Sequence, residues 1–311
     1  MTTLRAQFTE LLEPILQQIS NDEAYTRAEP IGMQLYGEVV TSQKAKETLF
    51  ERAGLGDFQE KPEAMPIMFS DPIAGGQIVF THIRRALAYN VSQEMFDHDQ
   101  FAEIRKLETD LQVAAMDDKE VRAHLLLNNG FGTTDSGSFL AAGYDSLALF
   151  STAHTRLDGG ATQRNRPTTD ANLTWTSLAD GIQQFKLWRD HRGRRVMATP
   201  STLWVSPQDE LTAREILGSS QKPGTSNNDI NAISGAVSVQ VTQYVDDTNA
   251  WFLFAAPNQT NTIWFWDKQA GTSTETLDDD KIREITGRKA RHGFSHGHGR
   301  WYGTYGTSGT T

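Results

Sequence analysis

The sequence contains no cysteine, and this absence excludes disulfide bonds and thiolate metal centres as the means of holding the fold together. It is consistent with a protein made in a reducing cytoplasm. Long apolar runs are missing too, since no stretch approaches the ~18 consecutive apolar residues that indicate a membrane span. The first residues, MTTLRAQFTELLEP, lack the basic start and apolar core of a secretory signal peptide. We therefore expect no membrane association.

Positive charge is in short supply. Lys and Arg number 29 against 39 Asp and Glu, which gives a formal net charge of −10. This balance argues against a dedicated nucleic-acid-binding protein, whose surface is normally basic. It is compatible with a protein that lies beside nucleic acid without binding it tightly. The 311 residues are 38% hydrophobic and 22% charged, as in an ordinary globular protein of one large or two average domains.

Catalytic signatures are scarce as well. The sequence has no P-loop, no dinucleotide-binding fingerprint and no G-x-S-x-G nucleophile motif. Ser151 and His154, with Asp145 or Asp158 nearby, are the residue types of a hydrolytic triad. A triad is defined by geometry rather than by closeness in sequence. A hydrolase at Ser151 and His154 therefore stays open as a hypothesis, but an ordinary polar loop is the favoured interpretation, and we expect no catalytic residues.

His292, His296 and His298 form the most suggestive ligand cluster, because imidazoles at such spacing bind zinc or copper. A fourth ligand is not evident, and intervening glycines predict a loop rather than a rigid platform. We favour a solvated or interfacial Gly/His strand region, and we expect no metal and no cofactor.

Hydrophobic periodicity predicts an α+β protein. Leu4 to Ile19 have the spacing of an amphipathic helix that Pro14 interrupts, and residues 21–61 are too polar to form a core of their own. A long helix is predicted over 97–129, capped by Asp97 or Asp99 and about 45–50 Å long. The other predicted elements are a helix over 174–192 that ends at basic residues and Gly193, a short helix over 209–217, and strands at 203–205, 236–241, 250–255, 262–266 and within 281–305.

A long hairpin is predicted between residues 63 and 90. Its strands would be 67–69 and 78–83, and the residues between them, Asp71-Pro72 and Gly75-Gly76, are typical of a turn. An isolated hairpin is only marginally stable in water, so this one needs a surface to lie on. Six residues are therefore candidates for contact with another subunit: Phe69, Asp71, Pro72, Gly75, Gly76 and Phe80.

Residues 281–300 contain six basic residues and one acid. The candidates in this patch are Arg288, Lys289 and Arg291, which would either pair with acids of another copy, such as the run Asp278-Asp279-Asp280, or contact DNA phosphates. We favour pairing between subunits. Trp264 and Trp266 could line a carbohydrate site, but alternation with Phe265 favours a half-buried strand.

Three segments resemble a known family. Residues 143–154, GYDSLALFSTAH, resemble the signature DG-x-x-LFST-x-H of Mu-type major head proteins of tailed bacteriophages, although Ser146 stands where the signature has glycine. Residues 212–231 and 247–254 are similar to later parts of the same family in the same order. The resemblance covers roughly residues 60–305.

The resemblance implies the Hong Kong 97-type capsid fold. Its parts would be an N-terminal arm (1–55), an extended loop (56–90), a peripheral domain with a long spine helix (91–192), an axial domain (193–280) and a return to the peripheral domain (281–311). It further implies a virion protein, assembled in the host cytoplasm, that forms hexamers and pentamers of an icosahedral head. The implied partners are further copies of the chain, a portal protein, scaffolding or decoration proteins, and double-stranded DNA held non-specifically on the inner face.

An encapsulin-like compartment with the same fold is the main alternative. We also expect no large proteolytic trimming, because no long scaffolding segment precedes the arm. We expect a non-covalent shell, because the predicted hairpin offers only Lys61, near its base, for cross-linking.

Overall fold

The computed structural model describes residues 18, 31–98, 101–223, 229–269, 271–277 and 285–310. The cap at Asp99, the acidic run at 278–280 and, apart from residue 18, the helix expected between residues 4 and 19 lie outside these residues. Among the residues described, no helix is long and apolar enough to cross a membrane. This part of the chain folds into three β-sheets with helices packed against them.

The first sheet is organised around one long strand, β11. Its strands are β1 (Glu38–Ser42), β4 (Ile83–Ser92), β5 (Phe139–Leu140), β9 (Thr262–Asp267), β10 (Ser273–Thr276) and β11 (Ile285–His298). β11 pairs antiparallel with β4 along residues 285–294 and with β9 along residues 294–298. β1 lies parallel to β9, so part of the predicted N-terminal arm is an integral strand.

A long helix, α2 (Phe101–Ala123), lies next to this sheet. Its 23 residues span about 35 Å at 1.5 Å per residue, so the predicted helix over 97–129 was too long at both ends. Gln93–Asp97 form a separate short helix, α1, and Leu125–Asn128 form another, α3. Asp97 is therefore the last residue of α1 and does not cap the long helix.

The second sheet has the order β12-β8-β6-β7. Its strands are β6 (Pro200–Val205), β7 (Ser238–Val241), β8 (Trp251–Ala255) and β12 (Thr304–Thr307), and its helices are α4 (Trp175–Leu187) and α5 (Glu210–Gly218). A capping box between Thr174 and Ser177 starts α4. The helix ends at Leu187, five residues before the predicted end, because the chain turns into an extended conformation at Trp188.

Helix α4 packs on the second sheet rather than beside α2. A Cβ atom placed on Gly181 would lie only 3.0 Å from Leu253 and 3.2 Å from Tyr305, so the glycine permits this close approach. The predicted boundary between the peripheral and axial domains lies between residues 192 and 193. It assigns α4 to the peripheral domain and so separates the helix from the sheet on which it packs. Strand β12 also belongs to the second sheet, although 281–311 was assigned to the peripheral domain as a whole.

The hairpin differs from the predicted one. Its strands are β2 (Lys46–Ala53) and β3 (Ile73–Thr81), joined by residues 54–72. Residues 67–69 form no strand, and Gly75 and Gly76 lie inside β3 instead of at a turn. Phe50 pairs with Gln77 and Arg52 with Ala74, so Glu51 faces two glycines across a β-bulge. A Cβ on Gly76 would lie 2.0 Å from the carbonyl oxygen of Tyr144, so close approach of two backbones explains this glycine.

The main hydrophobic core contains residues of the first and second sheets and is rich in aromatic residues. Trp188, Trp204, Trp251 and Trp264 are among its fully buried side chains. Trp264 and Trp266 are both buried, which removes them as a surface for stacking against sugars.

Candidate functional site

The feature of this chain best suited to binding another protein is the segment between β2 and β3, residues 54–72, here called the extended loop. Every residue from 57 to 72 is exposed. Its large apolar side chains are Leu55, Phe58, Met65, Ile67, Met68 and Phe69, and Phe69 is 96% exposed. Exposed large apolar side chains concentrated on one segment are typical of a site of protein contact.

The six residues predicted to contact another subunit fall into two groups. Phe69, Asp71 and Pro72 lie on the extended loop and are exposed. Gly75, Gly76 and Phe80 lie in β3 and contact their own chain.

Phe80 is 1% exposed, and its ring lies 5.2 Å from that of Phe265. Phe80 is thus a core residue, and assigning it to a subunit contact was wrong. The candidates named from the sequence left out the other five exposed apolar residues of the loop, which are Leu55, Phe58, Met65, Ile67 and Met68. Ile67 and Met68 were assigned to a strand, and the other three have an apolar character without the periodicity of a helix or strand.

The predicted basic patch is divided by the alternation of side chains along β11. Arg288 is 1% exposed, and it donates to Glu108 (3.4 Å) on α2 and to Thr276 (3.0 Å) on β10. The prediction that Arg288 belongs to a surface patch is therefore wrong, because its guanidinium lies in the interior. Lys289 and Arg291 both pair with Glu275 of the same chain, at 2.5 and 3.5 Å. Only Arg291 keeps about half of its side chain exposed.

The geometry around His154 does not match a hydrolytic triad. Its Nδ1 lies 2.6 Å from Asp145 Oδ2, but its Nε2 lies 3.0 Å from Asn165 Oδ1 rather than facing Ser151. Asn165 Oδ1 also accepts the backbone N–H of Ser151 at 2.9 Å, which fixes the amide orientation. Both ring nitrogens therefore face acceptors, so the arrangement suits an imidazolium paired with a carboxylate.

This ion pair is part of the interior. The His154 ring is buried and stacks on Trp301 with a centroid distance of 4.5 Å. Burial alone raises the pKa of the Asp145 carboxyl, but the hydrogen bond and the charge of His154 outweigh it, and the net pKa is lowered. The family-like segment 143–154 thus contributes a buried structural pair.

His292, His296 and His298 lie on one strand, β11, and all three are buried. His292 Nε2 lies 2.9 Å from Asp118 Oδ2, and His296 Nδ1 lies 2.8 Å from the Tyr36 hydroxyl. Burial lowers the pKa of both His296 and His298 to about 3. Within the described residues, no group of three or more His, Cys, Asp or Glu side chains is arranged to hold a metal ion. The expected solvated segment is therefore an interior strand.

Comparison with known proteins gives a consistent result. The family model described as "Phage capsid protein" matches residues 77–306. The capsid of Myoviridae phage XM1 has a similar structure, with a TM-score of 0.51, 10% identity, and coverage of 91% of this chain and 94% of that one. A structure from Mycobacterium phage Adephagia has a TM-score of 0.54 and 11% identity, and the match covers 92% of this chain and 91% of that one. The bacteriophage JBD30 capsid has a TM-score of 0.56 and 14% identity, with coverage of 70% of this chain and 91% of that one.

Among curated proteins, none matches this sequence. The structural neighbours are too distant in sequence to show more than the fold, but the family model covers most of the chain. The chain therefore belongs to the phage capsid protein family, as a major capsid protein with the Hong Kong 97-type fold.

Proposed function

We propose that copies of this chain associate as hexamers and pentamers of an icosahedral head around double-stranded DNA, and that the extended loop is a principal contact between copies. The observation that carries this proposal is the exposure of six large apolar side chains on one segment. Burying each of them contributes roughly 1.5–3 kcal/mol, enough for a few of them to stabilise an interface.

A closed shell explains why such a surface is tolerated. In a monomer, an apolar loop of this kind promotes non-specific association. In a symmetric assembly, each copy presents the same loop and the same receiving surface, so every loop is covered. The loop is held at its two ends by β2 and β3 and is exposed from residue 57 to residue 72, so a neighbouring copy can contact it directly.

The proposal includes no catalytic activity. The buried pairing of His154 with Asp145 and Asn165 supports this, because no nitrogen of His154 remains to activate Ser151. Replacing His154 tests the hydrolase hypothesis: a loss of measured hydrolysis by the intact protein would revive it.

DNA would be enclosed without tight binding. The net charge of −10 supports weak, non-specific contact at the inner face. Of the predicted basic patch, Lys289 and Arg291 remain candidates for contact with DNA or with another subunit, although Glu275 already pairs with both. Charge reversal at Lys289 and Arg291 should impair assembly under the subunit-contact hypothesis and leave it intact under the DNA hypothesis. A portal protein and scaffolding or decoration proteins complete the proposed set of partners.

An encapsulin-like compartment is the second candidate, because it would share the fold. The family match to phage capsid proteins favours the head. The contents of particles purified from the natural source distinguish the two, since a head holds double-stranded DNA and a compartment holds an enzyme.

The experiment that tests the loop is assembly of Phe58→Ser/Phe69→Ser protein, followed by sedimentation and negative-stain microscopy. We expect the variant to remain as folded subunits or small capsomers under conditions in which the parent forms shells. Leu211→Ser is the matched control, because Leu211 is 79% exposed on α5 and lies outside the loop. Shell formation by the double variant at the parent's yield would overturn the proposed role of the loop.

A further inference from the structure

Where the hairpin passes the body of the protein, it is fastened through Glu51. This residue lies at the β-bulge opposite Gly75 and Gly76, and it is 5% exposed. A bulge bends a strand and redirects its side chains. Here Gly76 lies against the backbone of Tyr144, and Gly75 lies against the side chain of Leu157. The hairpin therefore contacts the body of the protein beside Glu51.

Two groups from the body bind the Glu51 carboxylate. His191 Nε2 lies 2.8 Å from Oε1 and Arg300 Nε lies 2.9 Å from the same atom. His191 Nδ1 accepts the backbone N–H of Leu157 at 3.2 Å, so the ring proton is on Nε2 and is donated to Glu51. Arg300 also donates to the carbonyl of Arg52 at 3.1 Å. The hydrogen bonds thus hold both the side chain and the backbone of β2.

A second arginine spans the neck of the extended loop. Arg192 Nε donates to the carbonyl oxygen of Gly54 at 3.0 Å, and its Nη2 donates to that of Asp71. These carbonyls stand at the two ends of the loop, and the planar guanidinium bridges them with two donors in fixed geometry.

The turn that carries Arg192 is itself held in place. Asp190 Oδ1 accepts the backbone N–H groups of Arg192 and Arg194 at 2.9 and 2.8 Å, and Gly193 has a φ of +85°. The turn is therefore a preorganised platform and not a loose loop.

We infer that Glu51, His191, Arg192 and Arg300 form a clasp that fixes the direction in which the extended loop leaves the body, and that this direction sets the contact geometry between copies. The inference rests on the proposed function, since it assumes that the loop touches a neighbour. A two-stranded hairpin is marginally stable by itself, so its orientation depends on what holds it. All four clasp residues are positioning residues, because they act through the loop.

The clasp has a clear experimental signature in the unassembled subunit. In Arg192→Ala and in Glu51→Gln, we expect amide hydrogen exchange in β2 and β3 to become about tenfold faster, while exchange in β8 and β9 stays unchanged. Arg192→Lys should not restore the parent rate, because one ammonium cannot replace the planar fork. Arg195→Ala is the matched control: Arg195 is exposed, its guanidinium donates to the carbonyl oxygen of Lys186 on α4 at 3.1 Å, and its removal should leave exchange in the hairpin at the parent rate.

The same variants should still associate but give shells of wrong curvature, seen in electron micrographs as a broadened distribution of diameters with open or irregular particles. Parent-like exchange and parent-like shells for both Arg192→Ala and Glu51→Gln would overturn the clasp. This failure is distinguishable from failure of the proposed function. If the proposed function fails, the Phe58→Ser/Phe69→Ser variant assembles normally, whatever the clasp variants do.

Discussion

At the residue scale, the histidines of β11 illustrate how a cluster that resembles a metal site serves the interior instead. His296 and His298 are both buried, and Trp264 stacks on His296 with a centroid distance of 4.8 Å. Spacing along a strand places the three histidines on one face, which the sequence does reveal. Whether that face is covered depends on α2 and on Tyr36, which are distant in sequence, and no local pattern shows it.

These two histidines make the fold sensitive to acid. Burial lowers the pKa of His296 and of His298 to about 3, whereas the unfolded chain takes up the proton near pH 6.5. Between these values the unfolded state binds more protons, so stability falls as the pH falls.

Each histidine should remove about 2 kcal/mol of unfolding free energy between pH 6.5 and pH 5. Urea denaturation at both pH values measures this loss, and His298→Asn should show a smaller one. An equal loss in the variant and the parent would refute the role of His298.

The Asp145–His154 pair predicts an asymmetric response to mutation. Asp145→Asn leaves the buried imidazole without its carboxylate, and breaking a buried ion pair costs about 3–5 kcal/mol. Glu210→Gln is the matched control, because Glu210 pairs with Arg214 at 2.9 Å on the exposed face of α5 and such surface pairs contribute about 0–1 kcal/mol. Chemical denaturation of unassembled subunits measures both, and equal effects of the two changes would contradict this account.

Ser146 carries backbone strain that the family signature avoids. Its φ is +61°, in the left-handed region that glycine adopts at little cost, and the signature has glycine there. Ser146→Gly should therefore raise the free energy of unfolding by about 0.5–1 kcal/mol. Ser201→Gly is the control. Ser201 is the exposed second residue of strand β6, and glycine there should lower the free energy of unfolding by a similar ~0.5–1 kcal/mol. A thermal melt that shows Ser146→Gly to be less stable than the parent would contradict the assignment.

At the scale of elements, the sequence predicted most helices and strands but not their partners. The periodic apolar residues of α2 and the short apolar runs of β6, β8 and β9 were sufficient to find them. The hairpin was assigned wrongly because Gly75-Gly76 resembles a turn in sequence, while the reason for these glycines is the approach of Tyr144. Strand β2, KETLFERA, has charged residues at several positions, and only pairing with β3 identifies it as a strand.

The close approach of Gly76 to Tyr144 can be tested directly. Gly76→Ala would place a Cβ 2.0 Å from the Tyr144 carbonyl oxygen, so the hairpin must shift, and we expect a loss of about 1–3 kcal/mol. Gly218→Ala is the control, because a Cβ there meets nothing within 4 Å at the end of α5; it should be neutral or stabilising by up to about 1 kcal/mol. Similar unfolding free energies for Gly76→Ala and the parent would show that the bulge is not constrained.

At the scale of the whole molecule, the function follows from what the chain leaves uncovered. The family resemblance predicted the capsid fold, and the similar capsid structures confirm it, as the family match confirms the family. Of the predicted contact residues, Phe80 and Arg288 are interior, whereas Phe69, Asp71 and Pro72 are exposed and stay predictions. Composition cannot separate an apolar residue that packs on its own chain from one that awaits another copy, because both are apolar. Only the three-dimensional arrangement distinguishes Phe80 from Phe69.

The absence of cysteine offers the most direct test of the central claim, that the extended loop contacts another copy. Glu63→Cys introduces a unique thiol on the loop while leaving its apolar side chains intact, and a benzophenone maleimide attached there cross-links whatever lies beside it. Particles assembled from mixed light- and heavy-nitrogen subunits should yield cross-linked peptides that join the two labels, and unassembled subunits should not. Cross-links confined to a single chain in intact particles would contradict the account.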